Sequence, residues 1–212
     1  MANFADLKAQ VATDLRRSNL GPEIAKAVLD AIRDHDSERF YFNDYAVYTL
    51  TLIQGIDEYN LAPQAPIQEF IKIDTVRAQQ STPNGSWYTV VETTTDDIEV
   101  LYSNPSTGEP ARWATHGINT IRFWPTPNRT YPIRIFGHYR MIPLAVDTDS
   151  NDWTNAGQNL IRYTALRRLF VTPVRDADQM MLMQTAGQAE LDYLRRETDR
   201  RARRGRMTAY YG

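Results

Sequence analysis

The stretch RFYFNDYAVYTLT, residues 39–51, is where the reading of this chain turns. Ahead of it, apolar residues recur at intervals of three and four. Inside it, Tyr45, Val47, Thr49 and Thr51 fall on alternate positions. Alternating β-branched and aromatic residues mark a half-buried strand, because successive strand side chains face opposite ways. Upstream, Phe4, Leu7, Val11 and Leu15 form one apolar stripe and predict a helix over 3–17. Gly21-Pro22 interrupts it, and Pro22 suits the first position of a second helix, where a missing N–H costs nothing. Ile24, Val28 and Ile32 continue the helical period, so two short antiparallel helices precede the change.

Downstream, strand candidates follow at 59–61, 70–77, 86–91, 111–115, 119–124 and 132–141. Proline, asparagine and glycine turns separate them, as at Pro83-Asn84-Gly85 and Pro125-Thr126-Pro127-Asn128. Short strands at this spacing suggest a small antiparallel sandwich or barrel. Thr95 to Tyr102 is a local exception, with Asp96 expected to cap a single helical turn. The helical period then returns. Leu160, Tyr163, Leu166 and Phe170 trace one helix, and Met180, Met183, Gly187, Leu191, Leu194 and Thr198 trace another from about Arg175 to Arg204. A helix of that length spans roughly 45 Å, more than a compact domain of this size needs. The expected fold class is α+β, with a helical unit made of residues 1–38 and 150–206. A β-rich domain, 39–149, is inserted in it, and 207–212 form a tail. The closing GRMTAYYG reads as flexible or ordered by a partner.

Composition narrows the chemistry. The chain has 212 residues, 42% hydrophobic and 24% charged, which is ordinary for a globular protein. The mean hydropathy is −0.52, and no apolar run approaches the length of a membrane span. The N-terminus MANFADLKAQ lacks the basic and apolar stretches of a secretion signal. Cysteine is absent, which excludes thiolate chemistry and thiolate metal sites, and His35, His116 and His138 are scattered. Neither a nucleophile elbow nor a glycine-rich phosphate loop is present. No metal and no nucleotide cofactor are therefore expected.

The net charge of −2 hides an asymmetry. Residues 195–206, RRETDRRARRGR, hold seven arginines against Glu197 and Asp199, a balance of +5, so the rest of the chain carries −7. An acidic body with a basic end suggests a separate partner for that end. The cations are nearly all arginine, whose rigid fork suits carboxylates and phosphates at interfaces. A protein partner is preferred to nucleic acid, since no recognition-helix or base-stacking motif accompanies the arginines.

Three other constellations have simpler readings. Asp147, Asp149 and Asn151 have the opening spacing of a calcium loop, but the sixth position is Asp152 and the twelfth Gln158, where glycine and glutamate are needed. A polar loop that caps the helix beyond Trp153 fits better. Glu92, Asp96, Asp97, Glu99 and Glu109 could supply the carboxylate pair of a glycosidase, yet solvated loop acids are far commoner. Trp87, Trp113, Trp124 and Trp153 could form a sugar platform, though aromatics in a β domain more often fill a core.

The order of segments carries a resemblance. The two opening helices, RFYFND at 39–44, and Gln54-Gly55 with Tyr59 and Leu61 come first. Then follow GEPARW at 108–113, IRFWPTP at 121–127, Tyr131-Pro132 and Asn151-Asp152-Trp153, with Asp176 and Leu191 beyond. In this order the chain resembles the head-to-tail adaptor (head-completion, connector) proteins of tailed bacteriophages, in particular the portal-binding adaptor of short-tailed phages. The resemblance covers most of the chain. It implies a non-enzymatic virion protein at the head–tail interface, present in the host cytoplasm during assembly. It further implies a ring of about a dozen copies under the portal protein ring, closed by two different faces of each subunit. Such a ring extends the channel for genomic DNA, which passes without specific binding, and offers a landing surface to a tail or nozzle protein. No cofactor and no membrane are implied. The helical part would form the ring and the C-terminal extension would dock on the portal. The residues assigned to docking are Arg195, Arg196, Arg200, Arg201, Arg203, Arg204, Arg206, Tyr210 and Tyr211. Residues 195–212 are expected to be poorly ordered until that partner is met. Two rivals are a virion-associated peptidoglycan hydrolase, motivated by Glu92 and Glu99, and a non-specific DNA-binding module.

Overall fold

A computed structural model describes residues 2–17, 19–80, 85–103, 106–117 and 119–208. The chain divides into two compact units, one of residues 1–44 with 142–212 and one of residues 45–141.

The first unit is helical. Helix α1, Phe4–Leu15, starts at a capping box: Asn3 Oδ1 accepts from the Asp6 N–H at 2.9 Å, and Asp6 Oδ2 accepts from the Asn3 N–H at 3.0 Å. It ends where Arg16 turns left-handed, at φ 52°. Helix α2, Gly21–His35, has Pro22 in its first turn and buries Ile24, Ala27, Val28 and Ala31. Asn151 caps the short helix α4, Asp152–Asn155, and α5 runs over Gln158–Val171. Leu160, Ile161, Thr164, Ala165, Leu166, Leu169 and Phe170 of α5 are buried, a wider arc than one amphipathic stripe. The cause is its central place, packed against α1, α2 and the last helix, α6, Ala177–Thr208. Ion pairs tie α5 outward, from Arg162 to Asp14 and from Arg168 to Asp34.

Residues 39–44 and 142–149 belong to this helical unit. Asn43 Oδ1 accepts from the Phe40 N–H at 2.7 Å and its Nδ2 donates to the Glu38 carbonyl at 2.9 Å, which folds the segment into a turn. Phe40 and Phe42 then stack at 5.3 Å and meet the Trp153 ring edge-on at 5.8 and 5.1 Å. The cluster needs Gly157, whose Cβ would lie 2.7 Å from Trp153 Cε3. The calcium-like spacing is consumed locally. Asp147 pairs with Lys8, Asp149 accepts from the Ala145 and Val146 N–H groups at 2.7 and 2.8 Å, and Asn151 caps α4.

The second unit is built on a seven-stranded sheet. Its strands are β1 (Asp44–Leu52), β2 (Glu58–Asn60), β3 (Ile67–Gln79), β4 (Trp87–Glu92), β6 (Arg112–Thr115), β7 (Thr120–Trp124) and β9 (Tyr131–Met141). The order is β1-β9-β3-β4-β6-β7-β2; β5 (Thr107–Gly108) and β8 (Thr126–Pro127) pair separately. Val76, Val90, Trp113, Ile121, Phe123, Ile133 and Ile135 are fully or almost fully buried. The sheet is mixed, because β4 runs parallel to β6. Helix α3, Thr95–Tyr102, lies between those two strands in sequence and is longer than the expected single turn. Thr94, and not Asp96, caps it.

Neither a two-sheet sandwich nor a closed barrel describes this sheet. β1 and β2 are its two edges, yet residues 53–57 alone connect them. Seven flat strands would separate the edges by about 29 Å, whereas the connection reaches roughly 20 Å. The sheet must curl. Side chains bridge the resulting seam: Tyr48 Oη donates to the Ala62 carbonyl at 3.0 Å, and Gln64 Oε1 accepts from the Thr49 N–H at 3.0 Å.

Candidate partner-docking site

The basic segment lies at the end of α6, which is 32 residues long and spans about 48 Å. Gly187 is buried against α5, where its Cβ would stand 3.6 Å from Tyr163 Cβ. Leu194 is completely buried. It is the last buried residue of α6 among the described side chains, which end at Ala202. Met180, Met183, Leu191 and Thr198 of the expected stripe are half-buried, and Met181, Leu182 and Tyr193 are exposed.

Beyond Leu194, polar contacts hold the helix. The Tyr41 N–H donates to Thr198 Oγ1 at 3.0 Å, and that hydroxyl donates to the Leu194 carbonyl at 2.8 Å. Arg195 pairs with Glu38. Glu197 accepts from Arg200 at 2.7 and 2.6 Å and from Arg201 at 2.7 Å. Arg200 and then Arg201 hold the Glu197 carboxyl down at about 2, because their hydrogen bonds favour its charged form. The Arg201 guanidinium sits 3.8 Å from the centre of the Tyr41 ring. Burial raises the Tyr41 phenol above its usual range, with Arg201 acting the other way.

The helix is described to Thr208, and the rest of the expected tail lies outside the described residues. Acids spaced three and four residues from the arginines relieve the repulsion that argued for disorder. The nine assigned docking residues separate into groups. Arg195, Arg200 and Arg201 are engaged inside the chain, and Arg196 Nε donates to the Asp192 carbonyl at 3.2 Å. Arg203, Arg204 and Arg206 lie on the last turns of α6. Tyr210 and Tyr211 lie outside the described residues. Glu38 and Tyr41 were not singled out from sequence. Tyr41 was present in RFYFND, but only as part of an aromatic run, and Glu38 precedes that run.

The family model described as SU10 adaptor protein matches residues 2–209. The chain belongs to this family of phage adaptors. Membership makes it a bacteriophage structural protein of the head-to-tail junction and a component of the virion. No curated protein matches the chain. Among the described residues, no helix is long and apolar enough to cross a membrane.

In this adaptor three of the acids of the hydrolase reading, Asp97, Glu99 and Glu109, are engaged in local contacts. Glu99 pairs with Arg122, which also reaches Asp57 at 2.8 Å, and Glu109 pairs with Arg129 at 2.9 Å. Asp97 accepts from Thr93 Oγ1 at 3.1 Å and from its own N-cap neighbours; hydrogen bonds led by Thr94 lower its carboxyl, the wrong direction for a general acid. His116 meets Glu58 at 3.1 Å, and His138 is buried in β9. Trp113 and Trp153 are core residues, and Trp87 lies under Arg134 at 4.2 Å.

Proposed function

We propose that this adaptor forms a ring beneath the portal protein ring, and that the end of α6 docks there. The ring, in this reading, extends the channel for genomic DNA, which passes without specific binding, and presents a landing surface to a tail or nozzle protein. What supports the docking is the charge run at the end of α6. Leu194, Thr198 and the Glu197 cluster fasten the helix to its own chain as far as Arg201. From Arg203 onward the sequence offers three arginines, two tyrosines and no acid. Arginines of this kind suit carboxylates on a partner through charge-assisted bonds, with tyrosines as apolar anchors.

Truncation after Ala202 tests this, because it spares every described anchor of the helix. The shortened protein should keep its thermal transition and fail to co-sediment with portal particles. Equal co-sedimentation of both proteins would remove the docking role.

A further inference from the structure

The sheet of the second unit has a gap. Strand β3 pairs with β9 from Ile67 to Ala78, but on its other side β4 meets it only from Val76 to Gln79. Past Val90, strand β4 leaves β3; Val91 and Glu92 pair with Arg112 and Trp113 of β6 instead. The Thr93 N–H then donates to the Trp113 carbonyl at 2.9 Å, which carries the chain into α3. At the other end, Gln64 closes the edge with two bonds to Ile67, at 2.9 and 2.7 Å. Phe70 to Ile73 between them have no ladder partner on that side among the described residues.

A cavity of about 480 Å³ opens there. Phe70, Ile71, Lys72 and Ile73 all line it, opposite Trp113 and the turn of Gly117 and Asn119. Register shifts between Phe70 and Lys72 and between Ile73 and Thr75 bulge this stretch, so four consecutive residues reach the cavity. On that side the edge of β3 carries no strand at these residues among the described residues. The floor is apolar, since Leu61, Ile73 and Trp113 are 3, 5 and 1% exposed. Ile71 is 38% exposed at the opening. Glu92 is an exposed carboxylate on the rim, while Glu69 is paired with Arg140 and Lys72 leans toward Asp74 at 3.9 Å.

We infer that this cleft takes up a short extended segment of another protein, which adds to β3 as a strand at Phe70 to Ile73. Four residues give a slot roughly 13 Å long. Main-chain bonds to the open edge supply affinity, and alternate side chains of the segment reach the apolar floor. Glu92 selects a lysine or arginine in the segment. An open strand edge is otherwise a liability in a soluble protein. The inference does not depend on the docking of α6.

The full-length chain is titrated into a fluorescein-labelled hexapeptide, TVKVTV, and followed by fluorescence anisotropy. Saturable binding is expected, with slowed amide exchange at residues 70–73. Two versions of the peptide N-methylated at alternate residues separate main-chain pairing from plain apolar burial, and at least one should lose about tenfold in affinity. Glu92→Lys should weaken TVKVTV and strengthen the counterpart TVEVTV, a reversal that a misfolded variant cannot give. The inference is overturned by no binding up to about 1 mM, or if both methylated peptides bind as tightly as the unmethylated one. It is equally overturned if chitotetraose, and not the peptide, protects residues 70–73.

Discussion

Leu194→Ala is the substitution that most directly tests how α6 is fastened. Leu194 is 0% exposed and is the last buried side chain described on that helix. Removing a fully buried leucine side chain forfeits its transfer energy and leaves a cavity, for a loss of about 3 kcal/mol. The polar contacts nearby cannot replace it. The Arg195–Glu38 pair leaves the arginine side chain 50% exposed, and exposed pairs contribute roughly 0.2–1 kcal/mol each. Burial therefore decides the position of the helix, and the ion pairs refine it. Urea unfolding followed by far-UV circular dichroism should show the loss, and Tm should fall by about 6–12 °C in a chain of this size. Amide exchange at residues 195–202 should accelerate with it. Met181→Ala and Leu182→Ala, at positions 63 and 55% exposed, are the controls and should stay within about 0.5 kcal/mol of the parent. If Leu194→Ala cost no more than those controls, the seating of α6 on α5 would be wrong.

Three further outcomes follow from the same contacts. Gly187→Ala should stabilise the chain by about 0.5–1 kcal/mol in thermal or urea melts, because a Cβ there makes only an ordinary 3.6 Å contact with Tyr163 while a helix-interior glycine is removed; a clear loss would show that α5 and α6 approach more closely. Gly137→Ala in β9 should cost about 3 kcal/mol or prevent folding, since its Cβ would stand 2.2 Å from the Lys72 carbonyl oxygen, a backbone atom held by the β3 ladder; a soluble variant with unchanged melting would contradict the register. The Glu197 carboxyl, lowered from 4.5 to about 2, contributes stability that is present in full above pH 4.5 and fades as pH falls toward 2. The stability gap between the parent and Glu197→Gln should therefore shrink across that window, and a carboxyl titration midpoint near 4.5 by NMR would refute the pairing.

Much of the fold is legible in the sequence because its signals are local. The stripe of Phe4, Leu7, Val11 and Leu15 and the alternation from Tyr45 to Thr51 are decided within a few residues. What escapes is set by partners far along the chain. Phe40 and Phe42 have strand composition, but Asn43 turns the backbone and Trp153 collects both rings in the helical core. The parallel pairing of β4 with β6 leaves no hairpin turn to read, so the gap beside β3 is invisible in sequence. The curl of the sheet follows only once the strand order puts β1 and β2 at opposite edges. At the candidate site, the arginines were legible as a charge run, whereas the contacts that seat α6 were not. Those contacts involve Glu38 and Tyr41, more than 150 residues away from their partners Arg195 and Thr198.

Charge spacing along the basic segment bears on the proposed docking. Glu197 stands three and four residues before Arg200 and Arg201, and Asp199 stands four before Arg203, the favourable order for helical pairs. Arg204 and Arg206 have no carboxylate three or four residues before them. Arg204 instead has Arg200 and Arg201 at those distances, and Arg206 has Arg203. Like charges so placed oppose the helix by roughly 0.2–0.5 kcal/mol per pair. The first part of the run thus anchors α6 to its own unit, and the last part carries like charges without a carboxylate at helical spacing before Arg204 and Arg206. A surface that supplied one would gain the bonds and relieve the repulsion together, and repetition around a ring would multiply a contact that is weak in each copy.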